Sequence, residues 1–380
     1  MPIVLDIITG LGGGGAERVL YNLITHSQAN CFQHIVISLT DMGEYGEPLK
    51  GRGIEVHCLY LNKNPILGIY KSYKLIKLIS PDIIQTWLYH ADFLGLIIGK
   101  LAGIKNIIWN IRASVLPNNK GFYKTKFIRR LCSVLSSLPT AIIYCAESAR
   151  KEHGRIGYKN KQEVVINNGY DLDKFKYCEL TRREKRKKYN ISEKDIVIGN
   201  IGRFDYTKNH ELLLHAFAEV KKYISSFKLV IVGRGIDSNN AKLMEWIKEY
   251  ALEDNILLLG HIPDVEHLYP MFDILVSSSR VEGFPNVIAE AMASQIPCIV
   301  TNAGDSAHIV GDIGIIVPID SVTELSAAIL NMLNQNKIEL YQKGLCARNR
   351  VADNFSLTTM VIKYENLYQQ IIDKNLIFEK

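Results

Sequence analysis

Ile196-Val-Ile-Gly-Asn-Ile201 runs directly into Gly202-Arg203-Phe204-Asp-Tyr-Thr-Lys208-Asn209-His210, and the periodic stretch Glu211–Val220 follows. A short apolar run reads as a buried strand, and the periodic stretch after it as a helix. The loop between them therefore carries an arginine and a lysine at the carboxyl end of a strand and the mouth of a helix. Open α/β sheets bind their ligands in that crevice. Arginine offers a planar fork to phosphate oxygens, and lysine a mobile point charge.

A second stretch, Glu282-Gly-Phe-Pro-Asn-Val-Ile-Ala-Glu290, adds carboxylates. Pro285 suits the first turn of a helix, where its missing N–H costs nothing. Glu282 then stands in the loop and Glu290 about one turn inside the helix. Helix-opening amides and the dipole favour anionic oxygens there, and carboxylates bind hydroxyls. A phosphorylated, polyhydroxylated ligand needs both.

Around these stretches, strand and helix alternate twice. Strands read near Ile3–Thr9, His34–Leu39, Ile54–Leu59, Asp82–Trp87, Asn106–Ile111 and Thr140–Cys145. A second set reads near Ile196–Ile201, Lys228–Val232, Asn255–Gly260, Asp273–Ser277, Pro297–Thr301 and Ile315–Val317. Ala16–His26 and Ile69–Ile79 are among the helices between them. Such alternation means α/β, with two parallel sheets covered by helices. The 380 residues suit two domains, and Asn167-Asn168-Gly169 is a turn signal between the halves. The expected boundaries are 1–168, 169–355 and a long terminal helix in 356–380.

The chain resembles the retaining nucleotide-sugar glycosyltransferases of family 4, group 1, of the bacterial surface-polysaccharide type. The resemblance rests on Gly-Arg-Phe…Lys208-Asn209 and Glu282-Gly-Phe-Pro-Asn…Glu290. Gly14-Gly-Ala-Glu-Arg18, Trp87-Leu-Tyr-His90-Ala-Asp92, Ile111-Arg112, Ile166-Asn-Asn-Gly169-Tyr-Asp171 and Gly311-Asp-Ile-Gly314 extend it nearly end to end. Asn167 departs from the proline usual before Asn-Gly, at a linker position. The resemblance implies the GT-B architecture, two Rossmann-like domains facing a central cleft, with the last helix crossing back to the N-terminal domain. It implies that the C-terminal domain holds a nucleotide-sugar and that the N-terminal domain takes the acceptor, a lipid-linked saccharide.

The same resemblance suggests roles. Arg203 and Lys208 stabilise the leaving diphosphate, Glu282 the donor sugar and Glu290 the ribose. Gly202 and the turn residues Gly283, Phe284, Pro285, Asn286 and Val287 complete the donor site. Gly14 and Gly15 approach the diphosphate, and His90 serves the donor sugar or the acceptor hydroxyl. Asp92 and Arg112 are weaker candidates. A UDP-sugar is expected over GDP-mannose.

Other readings compete. Gly10-Leu-Gly12-Gly13-Gly14-Gly15 satisfies the dinucleotide fingerprint, which suggests an NAD-dependent oxidoreductase. The fingerprint wants an acid ending the next strand. Asp41 is the nearest and comes late, and the cations and glutamates above stay unexplained. A Walker A loop is excluded, since no Lys-Ser/Thr follows. A catalytically inactive glycan-binding module is disfavoured because every expected donor residue is present. Asp171-Leu-Asp173 imitates a metal motif, but it follows a turn where carboxylates bond locally. No metal and no cofactor are expected.

Composition agrees with a globular protein: 47% hydrophobic and 22% charged residues. The net charge of +6 does not demand nucleic acid. The seven scattered cysteines suggest reduced thiols, mostly buried, in the cytosol. No apolar run reaches a membrane span. Of two basic segments, Arg182–Lys188 reads as a solvated helix face. Lys120–Arg130 mixes Lys124, Lys126, Arg129 and Arg130 with Phe122, Tyr123 and Phe127, as an interfacial helix on an anionic membrane would. Peripheral association with the cytoplasmic face of the cell membrane is the expectation.

Overall fold

The computed structural model describes residues 1–28, 31–112, 123–224 and 226–378. The chain forms two compact units, Met1–Gly169 with Leu357–Lys380, and Tyr170–Ser356.

The first unit runs β1 (Ile3–Ile8), α1 (Gly15–His26), β2 (Gln33–Ser38), α2 (Gly46–Gly51), β3 (Glu55–Cys58), α3 (Pro65–Ile79) and β4 (Ile83–Trp87). It continues with α4 (Tyr89–Leu101), β5 (Ile107–Ile111), α5 (Tyr123–Leu135), β6 (Ala141–Tyr144), α6 (Glu147–Arg155) and β7 (Glu163–Val165). The second unit runs α7 (Glu179–Lys188), β8 (Ile196–Ile201), α8 (His210–Lys221), β9 (Phe227–Val232), α9 (Ala241–Glu249), β10 (Ile256–Leu258) and β11 (Ile274–Ser277). Then come α10 (Asn286–Ala293), β12 (Cys298–Thr301), α11 (Ser306–Val310), β13 (Ile315–Val317), α12 (Val322–Leu333) and α13 (Lys337–Phe355). The terminal helix α14 (Leu357–Phe378) belongs to the first unit.

Both sheets are parallel throughout. Their orders are β3-β2-β1-β4-β5-β6-β7 and β10-β9-β8-β11-β12-β13. Central strands such as Ile83–Trp87 are buried along their whole length, as sheets covered on both faces require. Every strand read from the sequence is present with small end shifts. Only β7 was missed, because three residues at a sheet edge in a polar stretch carry no periodicity. Helix α14 buries Met360, Tyr364, Tyr368 and Ile371 in the first unit's core beside Leu20 and Leu23 of α1. Met360 Sδ also receives the Gly169 amide at 3.2 Å, tying α14 to the turn that leaves the unit.

The strand order reverses direction between β1 and β4 in the first unit and between β8 and β11 in the second. Loops at the carboxyl ends of such neighbours diverge and leave a crevice. Gly10–Gly15 and Leu88–His90 stand at the first such point; Gly202–Asn209 and Ser278–Glu282 stand at the second.

Candidate active site

The second unit's crevice is built by backbone crossings that side chains would block. Gly202 donates to the Val232 carbonyl at 2.8 Å, and Phe204 to that of Arg234 at 2.8 Å. Gly233 lies under this crossing at φ +155°, where an added Cβ would stand 2.1 Å from the Gly202 oxygen. Asp205 closes the next turn by accepting from the Thr207 amide at 2.8 Å and its hydroxyl at 2.7 Å. Burial works against its charge, but these bonds and Arg203 hold its pKa below the ordinary value. Asn209, left-handed at φ +54°, caps α8 by accepting from the Leu212 amide.

This turn aims Lys208 back over Gly202 and onto Glu282: Nζ donates to Oε1 at 2.5 Å. Ser279 Oγ donates to the same oxygen at 2.6 Å. The cation expected at the phosphate and the carboxylate expected at the sugar therefore meet. Ser278 joins the two loops by donating to the Lys208 and Asn209 carbonyls. Arg203 stays mostly in solvent, with Asp205 Oδ2 3.5 Å from its Nε.

Helix α10 opens just beyond Glu282. Pro285 is its cap, one residue outside the helix rather than within the first turn as expected. Gly304, at φ +57°, lets the chain pass under this turn; a Cβ there would meet the Glu282 oxygen at 2.4 Å. Asp305 donates its amide to the Gly283 carbonyl at 2.9 Å. Phe284 packs edge-on against Phe355, fixing the turn to α13. Asn286 accepts from the Tyr170 hydroxyl at 2.7 Å, so its side chain holds the helix start. Glu290 is 3% exposed and accepts from the Tyr269 hydroxyl at 2.8 Å. Val287 presents its carbonyl to the same hydroxyl.

In the first unit, α1 begins at Gly15 with Gly14 as its cap. The loop is lined by acids: a Cβ on Gly13 would touch the Glu44 carboxylate and one on Gly14 that of Glu17. Burial raises the Glu17 pKa. Asp41, the acid required by a dinucleotide site, is used locally. Its carboxylate accepts from the Gly43 amide and its carbonyl from Ser38 Oγ.

His90 is the second residue of α4, half-buried at the end of β4. Burial lowers its pKa, which keeps the imidazole neutral and able to accept a proton at neutral pH. Leu88 before it sits at φ +74°, a strained value for a leucine and one often found beside functional groups. Asp92 is buried against the Thr86 hydroxyl at 2.6 Å, and burial pushes its pKa far up. It is a buried structural group. Arg112 is committed to the unit's frame: it bonds Asn168 and the Tyr364 hydroxyl and stacks over Trp87.

Asp171 makes the expected local bonds, accepting from the Asp173 and Lys174 amides. The basic run of α7 departs from expectation. Arg182 and Arg186 turn inward onto opposite oxygens of Asp273, and Arg186 is 1% exposed. Their i, i+4 spacing puts both on one face, while Arg183 and Lys187 take the solvent face. The seven cysteines are free, but only Cys132, Cys145 and Cys298 are buried, fewer than expected. Lys120 and Phe122 lie outside the described residues. Tyr123 and Phe127 on α5 are both 64% exposed.

Ser279, Tyr269, Gly233 and Gly304 went unread in the sequence. Val232-Gly233-Arg234 does repeat Ile201-Gly202-Arg203, which was a usable signal. Tyr269 and Ser279 had none.

Two parallel doubly wound units of this kind define the GT-B class, and solved structures of that class match. A UDP complex of Alr3699/HepE from Anabaena superposes with a TM-score of 0.82 at 19% identity, over 97% of this chain and all of that one (100%). A glycosyltransferase from Rickettsia africae gives 0.83 at 20% identity, over 98% of both chains. The group 1 glycosyl transferase family description matches residues 181–343, and that of glycosyltransferase family 4 matches residues 13–174. The chain belongs to the group 1, family 4 glycosyltransferases. It is 26% identical to a UDP-Gal:alpha-D-GlcNAc-diphosphoundecaprenol alpha-1,3-galactosyltransferase of Escherichia coli, over 79% of this chain and 78% of that one. It is also 26% identical to an N-acetylgalactosamine-N,N'-diacetylbacillosaminyl-diphospho-undecaprenol 4-alpha-N-acetylgalactosaminyltransferase of Campylobacter jejuni, over 94% of this chain and 97% of that one.

Proposed function

We propose that this glycosyltransferase moves a sugar from a UDP-sugar to a hydroxyl of a lipid-linked saccharide, with retention of anomeric configuration, in assembly of a surface polysaccharide such as O-antigen or capsule. The observation that carries the reading is the 2.5 Å contact of Lys208 with Glu282 at the second unit's switch point. It joins a cation for a diphosphate and a carboxylate for sugar hydroxyls in one place. The galactosyltransferase relative uses UDP-Gal, and both named relatives act on diphosphoundecaprenol-linked sugars. A UDP-sugar and a lipid-linked acceptor follow by that likeness, and with them a site of work at the cytoplasmic membrane face.

In the proposed step the bond between the anomeric carbon and the diphosphate oxygen breaks. The acceptor oxygen bonds to the same face of that carbon, and its proton ends on the departing diphosphate. Lys208 and Arg203 stabilise the charge that grows there, the largest electrostatic demand of the step. Glu282 positions the sugar, Glu290 the ribose, and the α10 turn from Gly283 to Val287 frames both. Gly14 and Gly15 contribute backbone amides to the diphosphate, as the family resemblance implies. His90, neutral, accepts a hydrogen bond from the acceptor hydroxyl. The protein cations take the part a divalent metal plays in other glycosyltransferases.

Proton NMR of the first-formed product tests retention: an α-linked product from an α-linked donor is expected, and a β-linked one refutes it. The same assay in excess EDTA should proceed unchanged. Loss restored by Mn²⁺ would return the charge neutralisation to a metal.

A further inference from the structure

Helix α3 is inside out. Its apolar residues Ile66, Ile69, Tyr70 and Tyr73 recur at i, i+3, i+4 and i+7, the spacing that ordinarily marks a buried face. Yet all four are exposed, Ile66 at 84%. The buried side is made instead by Gly68, Ser72 and Ile76. Gly68 permits close seating, since a Cβ there would stand 2.3 Å from a Leu61 methyl. Lys71, Lys74 and Lys77 flank the apolar stripe, and Lys74 Nζ lies 4.8 Å from the Tyr70 ring centre.

The neighbouring helices continue this surface. α3 packs on α4 and α4 on α5, so the three form one layer on one side of the sheet. α4 exposes Ile97 and Leu101, and α5 exposes Tyr123, Phe127 and Val134. Among the described residues, thirteen of the 25 exposed large apolar side chains fall between Tyr60 and Leu138, about a fifth of the chain. That concentration makes a patch rather than scatter. Charge decides what covers it. From Leu59 to Ala146 the sequence holds twelve Lys and Arg against two acids, Asp82 and Asp92. Asp92 is buried, and Asp82 accepts from the Ile3 amide. Between α3 and the end of β3 lies a groove of about 340 Å³ walled by Cys58, Leu59, Leu75 and Leu78, with Lys71 and Lys74 lining it too.

We infer that the α3–α4–α5 face docks on an anionic phospholipid bilayer, with α3 as the principal anchor and the β3–α3 groove as the seat of one acyl chain. Exposed apolar side chains on a helix flanked by lysines suit the headgroup boundary, and Lys71, Lys74 and Lys77 suit phosphate. A protein partner of matching size would have to supply a strongly acidic surface. The inference deepens the reading of a lipid-borne acceptor and moves the main contact from α5 to α3.

Co-sedimentation of the full chain with phosphatidylglycerol/phosphatidylcholine vesicles tests it. The parent should bind these and not phosphatidylcholine alone. K71Q/K74Q/K77Q should weaken binding roughly 10²-fold, about the loss of three cations near an anionic surface. I66S/Y70S/Y73S should weaken it comparably, with an unchanged circular dichroism spectrum because these side chains are exposed. K124Q/K126Q/R129Q/R130Q should weaken it less than either. Parent-like sedimentation of both α3 variants overturns the assignment. So does a parent that ignores all vesicles, and one whose dimer, seen by ultracentrifugation, is dissolved by the α3 changes; that last result makes a second copy the partner. UDP calorimetry on the same variants separates the two claims. Vesicle binding without UDP binding leaves this surface standing and removes the donor reading.

Discussion

Replacing Lys208 with alanine removes two things at once. The first is the charge proposed to meet the departing diphosphate. Loss of one preorganised stabiliser of this kind costs roughly 10²–10³-fold in turnover, about 3–4 kcal/mol. The second is the partner of Glu282, whose side chain is 11% exposed and whose Oε1 is shared between Lys208 and Ser279. Leaving that carboxylate with only the serine costs about 1–2 kcal/mol of folding stability, discounted because Lys208 itself keeps some contact with water. A domain of this size then loses roughly 2–4 °C in Tm per kcal/mol. The assay is steady-state release of UDP with saturating donor, beside a thermal melt. The double variant K208A/E282A should recover part of the lost Tm, since no buried carboxylate is left unpaired, while turnover stays low. Near-parental turnover in K208A refutes the phosphate role. Strict additivity of the two Tm losses refutes the coupling between the residues.

Three further outcomes follow from the site and its surroundings. E290Q should mainly weaken UDP affinity, because its proposed partner is the ribose, whereas E282Q should spare UDP affinity and cut turnover; equal losses of UDP binding contradict that division. R203A should lower turnover by roughly 10²-fold with no change in Tm, because its side chain is 62% exposed; a large Tm loss places it in the frame instead. His210 is buried on the Phe204 ring with neither ring nitrogen hydrogen-bonded, and burial chiefly, helped by Lys208, lowers its pKa from 6.5 to about 4. The unfolded chain therefore binds the proton first as pH falls, so stability is lost between about pH 6.5 and 4, by roughly 3 kcal/mol. H210F should flatten that part of the stability curve, as measured by urea unfolding across pH; an unchanged slope removes His210 from the account.

Much of the architecture was legible because both sheets are buried on two faces and write themselves as apolar runs such as Ile83–Trp87 and Ile196–Ile201. The crevice at Gly202–Lys208 was legible for the same reason: a strand, a glycine, cations and a helix entry occur in one short segment. What the sequence hid were pairings across long separations. Lys208 meets Glu282 seventy-four residues on, and Arg186 meets Asp273 across eighty-seven, and no local pattern encodes either. Arg182 and Arg186 looked like part of a solvated run because composition cannot show which face of a helix is turned inward. In α3 the apolar spacing is that of a buried face, yet Gly68 and Ser72 make the buried side and the stripe points outward.

Isothermal titration of UDP, with GDP, ADP and NAD as comparators, tests the central claim most directly. UDP should bind the parent protein one to one, and K208A should bind it at least tenfold more weakly, the loss of a charge-assisted contact to phosphate. NAD should give no heat. Saturable NAD binding with none for UDP, or UDP binding indifferent to Lys208, contradicts the account.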